Sequence, residues 1–200
     1  MITFDQSSWR TERKLAGGGV LLDPGIHHAA LARFFMGDVK HVTAKVKTRR
    51  NEHSGPAGQT RMEVEDTAMM ILEFESGALG SIEVSWLVSP IVMRYELDGN
   101  EGRAVFDIHR GMSPAQLRIF SSTANPAGVY LPSIPPAHSS PESYVNEFRH
   151  FIDCILNDTT PSYDGVQAWM DMETILAGYQ SAEKGCAVDL PIDRLPPSGV

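Results

Sequence analysis

Ala16-Gly-Gly-Gly-Val-Leu-Leu-Asp-Pro-Gly-Ile-His-His-Ala-Ala-Leu31 sets the reading of this chain. Three glycines enter an apolar segment that carries Asp23 and His27 four residues apart. On a helix, that spacing places both side chains on one face, one turn from each other. A carboxylate beside an imidazole is the minimal kit for moving a proton near neutral pH. The pattern predicts a helix running to about Phe35, with Pro24 tolerated near its first turns or marking a bend, and Gly37 as its stop.

Beyond Gly37 the apolar period changes from the helical one to two. Val42, Ala44 and Val46 share one face of a strand, and Lys45 and Lys47 take the other. Asn51 to Gln59 is polar and rich in turn residues, which predicts a loop. Val64–Glu73 and Ala78–Val88 form one hairpin pair, and Ile91–Leu97 and Arg103–Ile108 a second. Leu117–Phe120 is a further short strand. Strands in succession with short turns make an antiparallel sheet, because parallel strands need long crossovers.

The segment 122–140 contains four prolines, Pro126, Pro132, Pro135 and Pro136, and is expected to be irregular. Ser140-Pro141-Glu142 is a helix start, and Val145, Phe148, Phe151, Ile152 and Ile155 trace a helical stripe behind it. A second helix is expected from about Asp164 to Lys184, ended by Gly185, with Ala187–Leu190 as a last short strand and 192–200 as a loose tail. The fold class is therefore α+β: a largely antiparallel open sheet with helices packed on one face, in a single domain spanning 1–200. Apolar residues such as Met69, Ile71 and Trp86 fall on both registers of the central strands. Both faces of the sheet should then be covered, and a second subunit is the expected cover for the face that lacks helices.

Composition narrows the function classes. The 200 residues are 42% hydrophobic and 21% charged, with a formal net charge of −8. That length buries a core without staples. An acidic chain with no run of Lys or Arg argues against nucleic acid and anionic membranes as partners. Cys154 and Cys186 are the only cysteines, which speaks against a disulfide framework or a structural zinc site. Met1–Ser8 lacks the basic start and apolar core of a signal peptide, and no apolar run approaches membrane-spanning length, so a cytoplasmic protein is expected. His41, His53, His109, His138 and His150 show no metal-ligand spacing, and no metal is expected.

These motifs, in this order, resemble the Gfo/Idh/MocA family of NAD(P)-dependent sugar and polyol oxidoreductases. The matching pieces are Trp9-Arg10, Gly17–Gly19, Asp23-Pro-Gly-Ile-His27, Val64-Glu-Asp66 with Leu72–Phe74 and Gly77–Gly80, Leu97–Gly102, and Pro161 through Ser181 with Val188–Pro191. Together they cover roughly Trp9 to Pro191. The family pairs a nucleotide-binding domain with an α+β domain that shapes the substrate pocket and drives oligomerisation, and this chain resembles only the second. It contains neither a G-x-G-x-x-G run in a βαβ setting nor a Glu-Lys-Pro motif with its lysine. A protein cut by cloning, proteolysis or a truncated gene is expected on that ground.

The resemblance implies catalytic roles for Asp23 and His27. The histidine takes the proton of the substrate hydroxyl as hydride leaves for the nicotinamide, and the carboxylate orients the ring. The bland alternative is an acid at a helix start and a satisfied, partly buried histidine. Trp9 and Arg10 lie where the family lines its pocket, although packing for Trp9 and a surface position for Arg10 are the competing readings. His28 points away by about 100° and reads as structural. Ala30 stands where the family often has an acid for a substrate hydroxyl, which tells against inositol-type recognition. The implied partner is a small sugar or polyol, with a homo-oligomer formed through the open sheet face. NAD or NADP belongs to the complete enzyme, none is expected on this chain, and the chain alone is expected to be silent in catalysis. Two further readings are a non-catalytic binding or assembly module derived from the same domain, and a metal-dependent hydrolase using His27 and His28.

Overall fold

A computed structural model describes residues 9–49, 52–55, 58–88, 92–109, 116–121, 123, 128–132 and 140–192. A 3-10 turn at Trp9–Thr11 leads into α1 (Arg13–Ala16) and α2 (Gly25–Met36). The strands β1 (Val39–Lys47), β2 (Glu52–Gly55), β3 (Gly58–Arg61), β4 (Thr67–Phe74), β5 (Leu79–Ser85), β6 (Val92–Gly99), β7 (Gly102–His109), β8 (Gln116–Ser121) and β9 (Val129–Tyr130) follow. Helices α3 (Ser140–Asn157) and α4 (Gly165–Lys184) and strand β10 (Val188–Asp189) complete the order. The α+β class holds, and every strand pairing is antiparallel. The strands do not make one sheet, however. They divide into β10-β1-β4-β5, the hairpin β2-β3 and β6-β7-β8-β9.

The chain forms two compact units, residues 88–162 and residues 2–87 with 163–200. In the second of these, α2 and α4 pack together, and α4 lies on β1. Strand β4 alternates cleanly: Ala68, Met70, Leu72 and Phe74 are buried, while Met69, Ile71 and Glu73 face out. The inward set meets Val42 and Ala44 of β1, Ile82 and Val84 of β5, and Ile175 and Ala177 of α4 in one core. Gly178 lets the helix sit close, since a Cβ there would lie 2.7 Å from Met70 Sδ. Asp164 caps α4 by accepting from Val166 N at 2.9 Å and Gln167 N at 3.0 Å. Near its other end, Ser181 Oγ accepts from Ala44 N at 2.9 Å and donates to Cys186 O at 2.6 Å, tying helix to strand.

In the unit 88–162, β6, β7 and β8 place Arg94, Glu96, Arg103, Asp107 and Arg118 on one face, where they form ion pairs. The opposite face carries half-buried Met93, Tyr95, Leu97, Phe106 and Ile119. On α3 the stripe Val145, Phe148, Phe151, Ile152 and Ile155 is exposed, and Cys154 is the buried hydrophobic residue of that helix.

Two expectations need correction. Helix α2 begins at Gly25, not directly after the glycine run, because residues 20–24 form a turn and Pro24 occupies the N-cap. Within the stretch 51–59, expected to be a loop, Glu52–Gly55 form a strand paired backbone to backbone with Gly58–Arg61, from Glu52↔Arg61 to Gly55↔Gly58, a ladder that needs no apolar period. Apart from these two, the proline-rich segment supplies β9, which pairs with β8 at Ile119↔Tyr130. Most of 122–140 and all of 193–200 lie outside the described residues.

Candidate functional site

The glycine run is a mount held by a buried acid. Glu65, 3% exposed, accepts at Oε1 from Gly19 N at 2.9 Å, Leu21 N at 3.0 Å and Tyr179 Oη at 2.6 Å. Its backbone carbonyl accepts from Val20 N at 2.9 Å. Gly18 and Gly19 have no room for a side chain: a Cβ would lie 2.1 Å from Tyr179 Oη at the first and 2.0 Å from the Glu65 carbonyl oxygen at the second. Burial, and then the bond to Glu65, push the Tyr179 phenol well above its ordinary pKa, so the proton stays on tyrosine.

This arrangement does not fit a dinucleotide phosphate. A phosphate loop offers free backbone N–H groups to the anion. Here the amides of Gly19, Val20 and Leu21 are all taken by Glu65. The glycines serve close packing.

The turn then delivers the predicted pair. Asp23 N donates to Gly19 O at 2.9 Å, and Gly25 N donates to Val20 O at 3.1 Å as α2 starts. Asp23 lies in the turn and His27 in the first turn of α2, and both are exposed. Asp23 meets Arg10, with Oδ1 3.9 Å from Nε and both side chains about half exposed. The Arg10 guanidinium lies 4.7 Å from the centre of the Trp9 ring. Trp9, Arg10 and Asp23 are thus brought together. No hydrogen bond or ion pair joins Asp23 to His27 among the described residues. His28 is half-buried, and burial first, then the neighbouring His27, hold its pKa below the ordinary imidazole value.

Further along α2, Arg33 fixes that helix to α4. It donates to Asp171 at 2.6 Å, Asp38 at 2.9 Å, and the Gln167 backbone and side-chain oxygens at 3.1 Å. A pocket beside it is lined by Arg33, Asp38, Glu75, Met170, Glu173 and Leu190, and includes neither Asp23 nor His27. Among the described residues no three potential metal ligands converge, and no helix is long and apolar enough to cross a membrane. Sequence reasoning missed Glu65 and Arg33. A charged residue within an otherwise apolar run was the available signal for Arg33.

An α+β domain with antiparallel sheets and a glycine-packed turn leading into α2 is the class that this geometry defines. The chain belongs to the GFO/IDH/MocA family: the sequence model of that family's C-terminal domain matches residues 2–105. It is 27% identical over 195 residues to scyllo-inositol 2-dehydrogenase (NAD(+)) of Bacillus subtilis, covering 96% of this chain and 54% of that protein. It is 29% identical over 175 residues to myo-inositol 2-dehydrogenase of Thermotoga maritima, covering 86% of this chain and 49% of the relative. Among solved structures, the aldose-aldose oxidoreductase of Caulobacter crescentus in complex with glycerol is 29% identical with a TM-score of 0.75, covering 94% of this chain and 52% of that one. Levoglucosan dehydrogenase in complex with NADH and L-sorbose shares the fold at TM-score 0.79 and 24% identity, covering 94% of this chain and 55% of the other. The chain spans about half the length of the curated relatives it matches.

Proposed function

We infer that this chain, taken as one domain across its two units, is the substrate-binding part of an NAD(P)-dependent sugar or polyol oxidoreductase. His27 acts as general base and Asp23 sits beside it. The observation that carries this reading is the meeting of Arg10 and Asp23 next to the start of α2, where His27 is exposed. An imidazole nitrogen of His27 accepts the proton of a substrate hydroxyl, the general-base role that histidine fills most often. Asp23, four positions before His27, orients it in this reading, and Arg10 and Trp9 supply a hydrogen-bond donor and an apolar face for a polyhydroxylated ligand. The glycine run does not receive NAD or NADP, so the cofactor is assigned to a region outside this chain and the chain alone is silent.

Oligomerisation belongs to the same proposal. Met69, Ile71 and Leu79 are exposed on the outward side of β4 and β5, and they suit a second copy of this sheet as cover. Localisation in the cytoplasm is proposed with it.

The absence of a bond between Asp23 and His27 favours a second reading, a non-catalytic binding or assembly module. One experiment separates them. The chain is joined to the uncovered half of a relative such as levoglucosan dehydrogenase, and a panel of sugars and polyols is oxidised with NAD and NADP. Under the first reading His27→Ala lowers kcat by about 10²–10⁴-fold. Unchanged turnover supports the second. Calorimetric titration of either cofactor into the 200-residue chain is expected to give no heat of binding, and a saturable signal would redraw the domain assignment.

A further inference from the structure

Two of the backbone bonds that fix the Asp23–His27 segment trace back to one residue, Glu65. Gly19 N donates to Glu65 Oε1, and Gly19 O in turn accepts from Asp23 N. Val20 N donates to Glu65 O, and Val20 O accepts from Gly25 N, the first residue of α2. Each path is two bonds long. One ends on Asp23 itself, and the other ends two residues before His27.

Glu65 is suited to this task. A buried carboxylate is costly unless donors meet it, and three converge on Oε1. Its third donor, Tyr179 Oη, comes from α4, so the clamp also locks the turn to the helix that packs on the sheet. The missing side chains at Gly18 and Gly19 are what permit this approach.

We propose that Glu65 is the positioning residue of the Asp23–His27 pair: through Gly19, Val20 and Leu21 its buried carboxylate and backbone carbonyl set where both side chains stand. Tyr179 acts with it by holding that carboxylate in place. The relevance to catalysis rests on the function proposed above, whereas the positioning itself does not.

The test uses the 200-residue chain and solution NMR. Glu65→Gln keeps the shape and one carbonyl acceptor but removes the charge. Tyr179→Phe removes a single donor. In both variants, amide exchange at Gly19 and Leu21 is expected to rise about tenfold or more. The His27 ring resonances and the Asp23 amide should shift, while Leu72 in the middle of β4 stays protected. Faster exchange at Gly19 and Leu21 with an unmoved His27 would overturn the proposal, and so would unchanged exchange. If Glu65→Gln does not fold, Tyr179→Phe decides alone by the same readings. A clamp that passes this test while His27→Ala leaves turnover unchanged in the joined protein would sink the catalytic reading and leave the positioning intact.

Discussion

The Arg33 guanidinium lies 2.6 Å from the Asp171 carboxylate, and their side chains are 6% and 0% exposed. This pair joins α2 to α4 at depth, so the helix that carries His27 is referenced to the helix that carries Tyr179. Asp171 also accepts from Tyr163 Oη, and Arg33 reaches Asp38 at the end of α2. The candidate site is therefore anchored twice, by Glu65 at the glycine turn and by Arg33 along the helix.

Removing one partner of such a pair leaves an uncompensated buried charge. Arg33→Met should destabilise the unit 2–87 with 163–200 by about 3–5 kcal/mol. The double variant Arg33→Met, Asp171→Leu should recover much of that loss, because both desolvation costs disappear. All three tryptophans, Trp9, Trp86 and Trp169, belong to this unit, so urea unfolding followed by tryptophan fluorescence reads it selectively. A double variant less stable than the single one would contradict the account.

What the sequence made legible followed from period and punctuation. Strand β4 could be placed because Ala68, Met70, Leu72 and Phe74 alternate with outward residues, and α4 because Asp164 caps it and Gly185 follows Lys184. The Asp23–His27 spacing was visible, but its setting was not. Pro24 moved the helix start to Gly25 and left Asp23 in a turn that accepts Arg10. Glu65 and Arg33 were illegible for a different reason. Apart from the Arg33 bond to nearby Asp38, these buried charges are defined by partners 44 to 138 positions away, and no local period encodes those. The division of the strands into two four-stranded sheets and the β2-β3 pair was hidden for the same reason, since short turns predict antiparallel neighbours and do not say where a sheet ends.

Gly18 tests how closely the glycine turn is packed. A Cβ there meets Tyr179 Oη at 2.1 Å and Cζ at 2.9 Å. Gly18→Ala should cost about 1–3 kcal/mol through overpacking. In a Tyr179→Phe background the nearest atom is gone and Cζ remains, so the cost of the same substitution should shrink without vanishing. Additive effects in this double-mutant cycle would show that the clash is not where the geometry places it.

Tyr163 gives a signature at alkaline pH. Burial, its bond to Asp171 and the Asp171 charge push its pKa up to about 12. The folded state then holds the phenolic proton more tightly than the unfolded chain, whose tyrosines titrate near ~10. The resulting stabilisation is complete below about pH 10 and is lost as pH rises through the folded value. A spectrophotometric phenol titration of the wild type and of Tyr163→Phe should differ by one group ionising near pH 12. A difference centred near the ordinary value would contradict the Tyr163–Asp171 contact.

His28 works in the opposite direction, on the acid side. Its pKa is lowered, chiefly by burial and then by the charge of His27. The unfolded chain, with imidazoles near ~6.5, binds this proton more readily than the folded one. Its contribution to stability is therefore complete above about pH 6.5 and is lost as pH falls toward the depressed folded value. His27→Ala removes only the lesser of the two causes. The His28 ring resonances, followed by NMR through an acid titration, should move back toward the ordinary midpoint in that variant without reaching it. Full recovery would mean that charge and not burial sets the depression, and no change would mean that the two rings do not sense each other.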